Sequence, residues 1–215
     1  MYRNEIEGFI DSHREEMIED ICTLCRINSE KMPYVEGKPY GEGPFQALQA
    51  ALGMAEGYGF SIRNYDNYVG TADLNDKERQ LDILVHLDVV PAGEGWTETK
   101  PFEPVVKDGK LFGRGTADDK GPAVAALYAM RAVKELGIPL NKNVRLILGT
   151  DEECGSSDIV NYYDKEDEHQ RISKKNRGIW NFQMNCTTES KNCQKSWKLC
   201  VGRRHKRPLY CFEFF

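Results

Sequence analysis

Residues 81–158 hold three short polar clusters, each set against the end of an element with buried character. LDILV runs into HLD at residues 86–88, and VRLILGT runs into DEECGSSD at residues 151–158. Between them GRGTADDKG, residues 113–121, opens the helical pattern GPAVAALYAMRAVKELG. Short continuous apolar runs suit strands covered on both faces. Two strands and a helix therefore deliver one imidazole, His86, and four carboxylates, Asp118, Asp119, Glu152 and Glu153, to element ends. Ligands of open α/β sheets bind outside the carboxyl ends of the strands. Imidazole and carboxylate are the donors that zinc and similar divalent ions take.

A chain of 215 residues can bury one sizeable core, or form a domain plus an extension. No apolar run reaches about eighteen residues, so no membrane helix is expected. The start, MYRNEIEGFIDSHREE, is acidic and amphipathic and lacks the apolar core of a signal peptide, which points to the cytoplasm. The net charge of −5 hides an asymmetry. Residues 171–215 carry 11 Lys and Arg against Glu189 and Glu213, leaving 18 cations and 32 acids for the rest. Four of the seven cysteines and two of the three tryptophans also fall in that tail. Composition changes near residue 170, and the chain divides there: residues 1–168 as one domain and residues 169–215 as a basic, Cys-containing tail.

Taken in order, residues 4–27 read as one amphipathic helix, with Ile6, Phe9, Ile10, Met17, Ile18 and Ile21 at helical steps. Cys22 and Cys25 lie inside that pattern, where buried thiols are a better reading than a zinc site. A Gly/Pro-containing loop follows, and Pro44 opens a second helix to about Tyr58. SIRNY and YVGTADL are strands about an Asp-Asn turn, and PVVKDGKLFG is a hairpin about Asp108 and Gly109. The helix from about Asp119 stops near Gly137 and Pro139. Helix, strands, helix and strand predict an α/β sandwich with a mostly parallel sheet and helices on both faces.

Each cluster has a plainer reading. A lone H-x-D is more often a hydrogen-bonded core histidine, although Asp88 is placed to orient a ligating His86 ring. Acids in a first helical turn complement the helix dipole, which explains one of Asp118 and Asp119 better than both. Glu152 and Glu153 could be a solvated turn, or a ligand beside a general base. Three clusters with metal-type donors, all at element ends, favour the metal reading.

HLDVVPAGEGW, KDGKLFGRGTADDKGP and GTDEECGSSD, with YGEGP near residue 41, resemble the M20 metallopeptidases, in particular the dipeptidase V-like branch, over residues 4–164. That resemblance implies a three-layer α/β/α, zinc-exopeptidase-like catalytic domain and a metal-dependent dipeptidase. It implies His86, Asp118 and Glu153 as metal ligands, with Asp118 bridging two zinc ions, or manganese or cobalt. It implies Glu152 as the general base, Asp88 in support of His86, and a cis peptide between Asp118 and Asp119. The partner it implies is a small peptide.

The chain departs from the family pattern in several places. Members are about twice as long, with a lid domain, a further carboxylate ligand and a C-terminal histidine ligand. No acid stands between Glu168 and Glu189, and His205 lies in RRHKR, where cations oppose a metal. Two accounts fit the tail: translation out of frame after about residue 170, leaving it poorly ordered, or a short natural protein with a basic end. The first is favoured. The cysteine spacings there match no trusted zinc pattern, and no nucleic-acid motif accompanies the cations. Either account predicts an incomplete domain without its lid and with impaired hydrolysis. The alternative is an inactive fragment that binds metal or acts as an interaction partner. Oligomeric state and substrate identity are not legible.

Overall fold

The computed structural model describes residues 2–170 and three later strands, with side chains described through residue 166. Two helices open the chain, α1 (Arg3–Ser12) and α2 (Arg14–Cys25), where one was predicted. The break falls at His13, whose ring Nδ1 lies 2.8 Å from the Phe9 carbonyl, while Ser12 Oγ donates to that same oxygen at 2.8 Å. Local side chains that bond nearby carbonyls compete with the helical ladder. Helix α3 (Glu42–Gly57) leads into β1 (Ser61–Tyr65) and β2 (Val69–Asp73). Strand β3 (Arg79–His86) is followed by the short hairpin β4 (Val105–Lys107) and β5 (Lys110–Phe112). Asp108 and Gly109 have φ of 50° and 71° at its tip, the left-handed pair that two-residue hairpins require. Helix α4 (Lys120–Glu135), β6 (Asn143–Gly149), a 3₁₀ turn at Glu152–Cys154 and α5 (Ser157–Gln170) follow.

The central sheet runs β1-β2-β6-β3. Strands β3 and β6 are neighbours and parallel, with His86 opposite Gly149, as expected from their apolar runs. The sheet as a whole is mixed, because β2 pairs antiparallel with both β1 and β6. The short Asp-Asn turn between β1 and β2 forces that antiparallel edge, whereas β3 and β6 are joined through α4, the crossover a parallel pair needs.

Two clusters hold the layers together. On one face Leu24 of α2, Leu48 and Leu52 of α3, and Val124 and Leu127 of α4 pack on Leu146 and Leu148 of β6. On the other, Tyr162 of α5 packs on Tyr65, Val69 and Ile147. A fully buried Leu or Ile contributes roughly 1.5–3 kcal/mol. The predicted α/β/α layering is therefore present, with α2, α3 and α4 on one side of the sheet and α5 on the other.

Strands β7 (Trp180–Asn185), β8 (Trp197–Arg203) and β9 (Tyr210–Phe214) form an antiparallel sheet in that order, where little regular structure was expected. WNFQMN alternates apolar and polar residues without exception, which is the strand period. The expectations for Cys186, Cys193 and His205, and for the packing of Trp180 and Trp197, lie outside the described residues.

Candidate metal centre

His86 is the last residue of β3, Asp118 and Asp119 directly precede α4, and Glu152 and Glu153 follow β6. Adjacent parallel strands thus end on the imidazole and on the glutamate pair, and α4 begins between them. The Asp118–Asp119 peptide bond is cis. His86 Nε2 lies 3.1 Å from Asp118 Oδ1 and 4.0 Å from Glu152 Oε2. One donor atom each from His86, Asp118 and Glu153 falls within 4.8 Å of the other two. His86 and Asp88 are buried, while the Asp118 and Glu152 side chains stay 74% and 57% exposed.

Around the ring the contacts differ in detail from simple strand alternation. His86 Nδ1 is 3.1 Å from the Asp88 carbonyl oxygen, and the Asp88 carboxylate stands further off, at 3.4 Å. Strand β3 ends at His86, so residue 88 no longer follows its pleat. The Asp88 carboxylate instead accepts the amides of Glu152, at 3.1 Å, and Glu153, at 3.0 Å. One buried acid therefore touches both strand ends.

Burial pushes the His86 ring down, but its hydrogen bonds to Asp118 and Asp88, with the charge of Asp119, override it and hold the ring up at about 11. The same His86 bond holds the Asp118 carboxyl low. Asp119, which accepts the His86 amide at 3.2 Å, is pushed up to about 7 by burial. Burial, then the charge of Asp118, raises Glu153.

Three supporting groups escaped the sequence reading. Lys120 is fully buried, with Nζ donating to the Leu24 carbonyl at 3.0 Å and the Ile27 carbonyl at 2.7 Å, which ties the start of α4 to the end of α2. Burial lowers its ammonium to about 8. A lysine in a first helical turn gives no sign of burial. Lys31 Nζ donates at 2.6 Å to the buried Asp151, across 120 residues of sequence. Asp158 bonds backbone amides at the end of β6.

Gly121 is required for packing at this point. A Cβ there would collide with the Thr116 carbonyl oxygen, in the segment that carries Asp118. Gly121→Ala is expected to destabilise the fold by about 1–3 kcal/mol, the usual cost of overpacking, as read from the urea midpoint. A midpoint equal to wild type would show that the segment moves aside freely.

The profile of Peptidase family M20/M25/M40 matches residues 83–191, half of the chain, and spans every residue of the crevice but no farther upstream than β3. This chain belongs to that family. The M20 match runs past the change in composition near residue 170. Among curated relatives, the putative dipeptidase YtjP of Bacillus subtilis (strain 168) is 38% identical over 156 residues, covering 72% of this chain and 34% of the relative. The Beta-Ala-Xaa dipeptidase of Lactobacillus delbrueckii subsp. lactis is 37% identical over 160 residues, or 73% of this chain and 34% of that protein. The chain thus spans about a third of the length of the curated M20 relatives it matches. Human carnosine dipeptidase 1 superposes with a TM-score of 0.68 at 25% identity, over 83% of this chain and 41% of the other. The di-peptidase Dug1p of Saccharomyces cerevisiae, at 20% identity and a TM-score of 0.67 over 86% of this chain and 42% of that one, shares the fold. Among the described residues, no helix is long and apolar enough to cross a membrane.

Proposed function

We propose that this chain carries the metal- and water-handling part of an M20 dipeptidase, with His86, Asp118 and Glu153 as metal ligands and Glu152 as general base. The convergence of the His86, Asp118 and Glu153 donor atoms within 4.8 Å of one another carries this reading. One imidazole and two carboxylates match a catalytic zinc site, which takes three protein ligands and keeps a position open. Manganese and cobalt accept the same donors. The division at residue 168, into a partial catalytic domain and a tail, belongs to the same proposal.

A bound zinc ion supplies Lewis acidity, which makes water more acidic and polarises a scissile carbonyl. Glu152, exposed and 4.0 Å from the ring, takes the proton from the attacking water and returns it to the leaving amine. Asp88 keeps Glu152 and Glu153 in place through their amides, and its carbonyl orients the His86 ring. The substrate is a small peptide, by likeness to relatives named as dipeptidases. Turnover by this chain alone is low, because the three ligands among the described residues do not close two metal sites, and geometry loosened by about 1 Å can cost about a hundredfold in rate.

Purified chain is expected to bind zinc and to turn over a panel of dipeptides well below the usual range of about 1–10³ per second. Glu152→Ala should remove that residual activity and leave zinc binding in place. Failure to bind zinc, manganese or cobalt would refute the metal assignment. Turnover at ordinary enzyme rates would refute the impaired reading.

A further inference from the structure

Four consecutive amides lead from β6 into the turn that carries Glu152 and Glu153, and two buried carboxylates hold them in pairs. Asp158 Oδ2 accepts from Thr150 at 2.6 Å and from Asp151 at 3.1 Å. Asp88 accepts from Glu152 and Glu153. Asp158 is 0% exposed, and its other oxygen accepts the Ile159 amide at 2.7 Å. Its approach to the strand depends on Gly149, where a Cβ would lie 2.7 Å from Oδ2. The tie is reciprocal, because Asp151 Oδ2 accepts from Ser157 Oγ at 2.6 Å and from the Ser157 amide at 3.2 Å. The first turn of α5 and the end of β6 are therefore cross-linked on both sides.

We infer that Asp158 is a positioning residue that fixes Glu152 and Glu153 at the crevice, an inference that rests on the roles proposed for that pair. A buried amide without an acceptor is costly, and water cannot replace a carboxylate that is closed to solvent. Without Asp158, the Thr150 and Asp151 amides must turn to find partners. The chain between them and the Asp88 clamp then shifts, and both glutamates shift with it. Asparagine removes the charge that strengthens all three bonds and turns a donor NH₂ towards either the Ile159 amide or the Thr150 and Asp151 pair.

The test compares full-length wild type with Asp158→Asn and with Ile147→Val, which trims the buried core of β6 and leaves the four bonds intact. Amide exchange at Thr150, Asp151, Glu152 and Glu153 is expected to speed up about 10–100-fold in Asp158→Asn beyond any global change, the factor that a hydrogen bond to a charged group represents. Ile147→Val should show no such local excess. Zinc affinity, measured against a chelator, should fall about 10–100-fold in Asp158→Asn and stay unchanged in Ile147→Val. Gly149→Ala, which displaces the Asp158 carboxylate, should give the same local pattern if Asp158→Asn does not fold. Unaltered exchange at Glu152 and Glu153 would overturn the inference. A wild-type chain that binds no zinc would overturn the metal reading, and the exchange pattern would still decide the role of Asp158.

Discussion

His86→Ala should weaken zinc binding by more than about a hundredfold, beyond the roughly 10–100-fold that loss of an outer supporting partner costs. The ring is buried at the end of β3, with Nε2 aimed at Asp118 and Nδ1 held by the Asp88 carbonyl. Its loss takes away the nitrogen donor and leaves two carboxylates, a set better suited to harder ions. The fold should survive, because the Asp88 carboxylate keeps its amide partners, Glu152 and Glu153. Chelator competition would read the affinity, with circular dichroism to confirm the native state. Glu153→Gln should weaken binding as well, by removing charge at constant shape. An affinity unchanged in His86→Ala would place the ion elsewhere on the chain.

The clusters at residues 86–88, 118–119 and 152–153 were legible because chemistry at strand ends is carried by polar residues in an otherwise apolar pattern. The adjacency of β3 and β6 was legible for a related reason, since both runs are mostly apolar, broken only by Asp82 and Arg145. Two features were misread because short-range chemistry overrode the pattern. The apolar spacing of residues 4–27 continues through His13, but the Ser12 and His13 side chains compete for the Phe9 carbonyl. The sheet was taken as mostly parallel, yet the turn at Asp66 and Asn67 returns β2 antiparallel on β1. The supporting polar groups were hidden for a deeper reason. Lys31 and Asp151 meet across 120 residues, and Lys120 reaches carbonyls at and just beyond the end of another helix. No local period encodes such meetings. Asp158 is the last residue of DEECGSSD, and its bonds to amides seven and eight residues back are likewise encoded by no local period.

Zinc binding should strengthen steeply with pH. In the ion-free chain the His86 ring is held at about 11, against burial, by the Asp118 and Asp88 hydrogen bonds. Between pH 6 and pH 8 the ring is therefore a cation, and an entering ion must displace its proton to reach the lone pair. Because the proton is the competitor, apparent affinity falls as pH falls, by about tenfold per unit or roughly a hundredfold over that range. Asp118 adds nothing to the slope, since its carboxyl is held low by His86 and stays ionised throughout. Asp119, pushed up to about 7 by burial, acts in the same direction as His86: its charge appears as pH rises and attracts the ion. Calorimetry in buffers of different ionisation enthalpy should show about one proton released per zinc bound. His86→Ala should lose most of the slope as well as the affinity. A wild-type affinity that stays flat from pH 6 to pH 8 would mean that the His86 ring is neutral before the ion arrives, and would remove His86 protonation from the binding equilibrium.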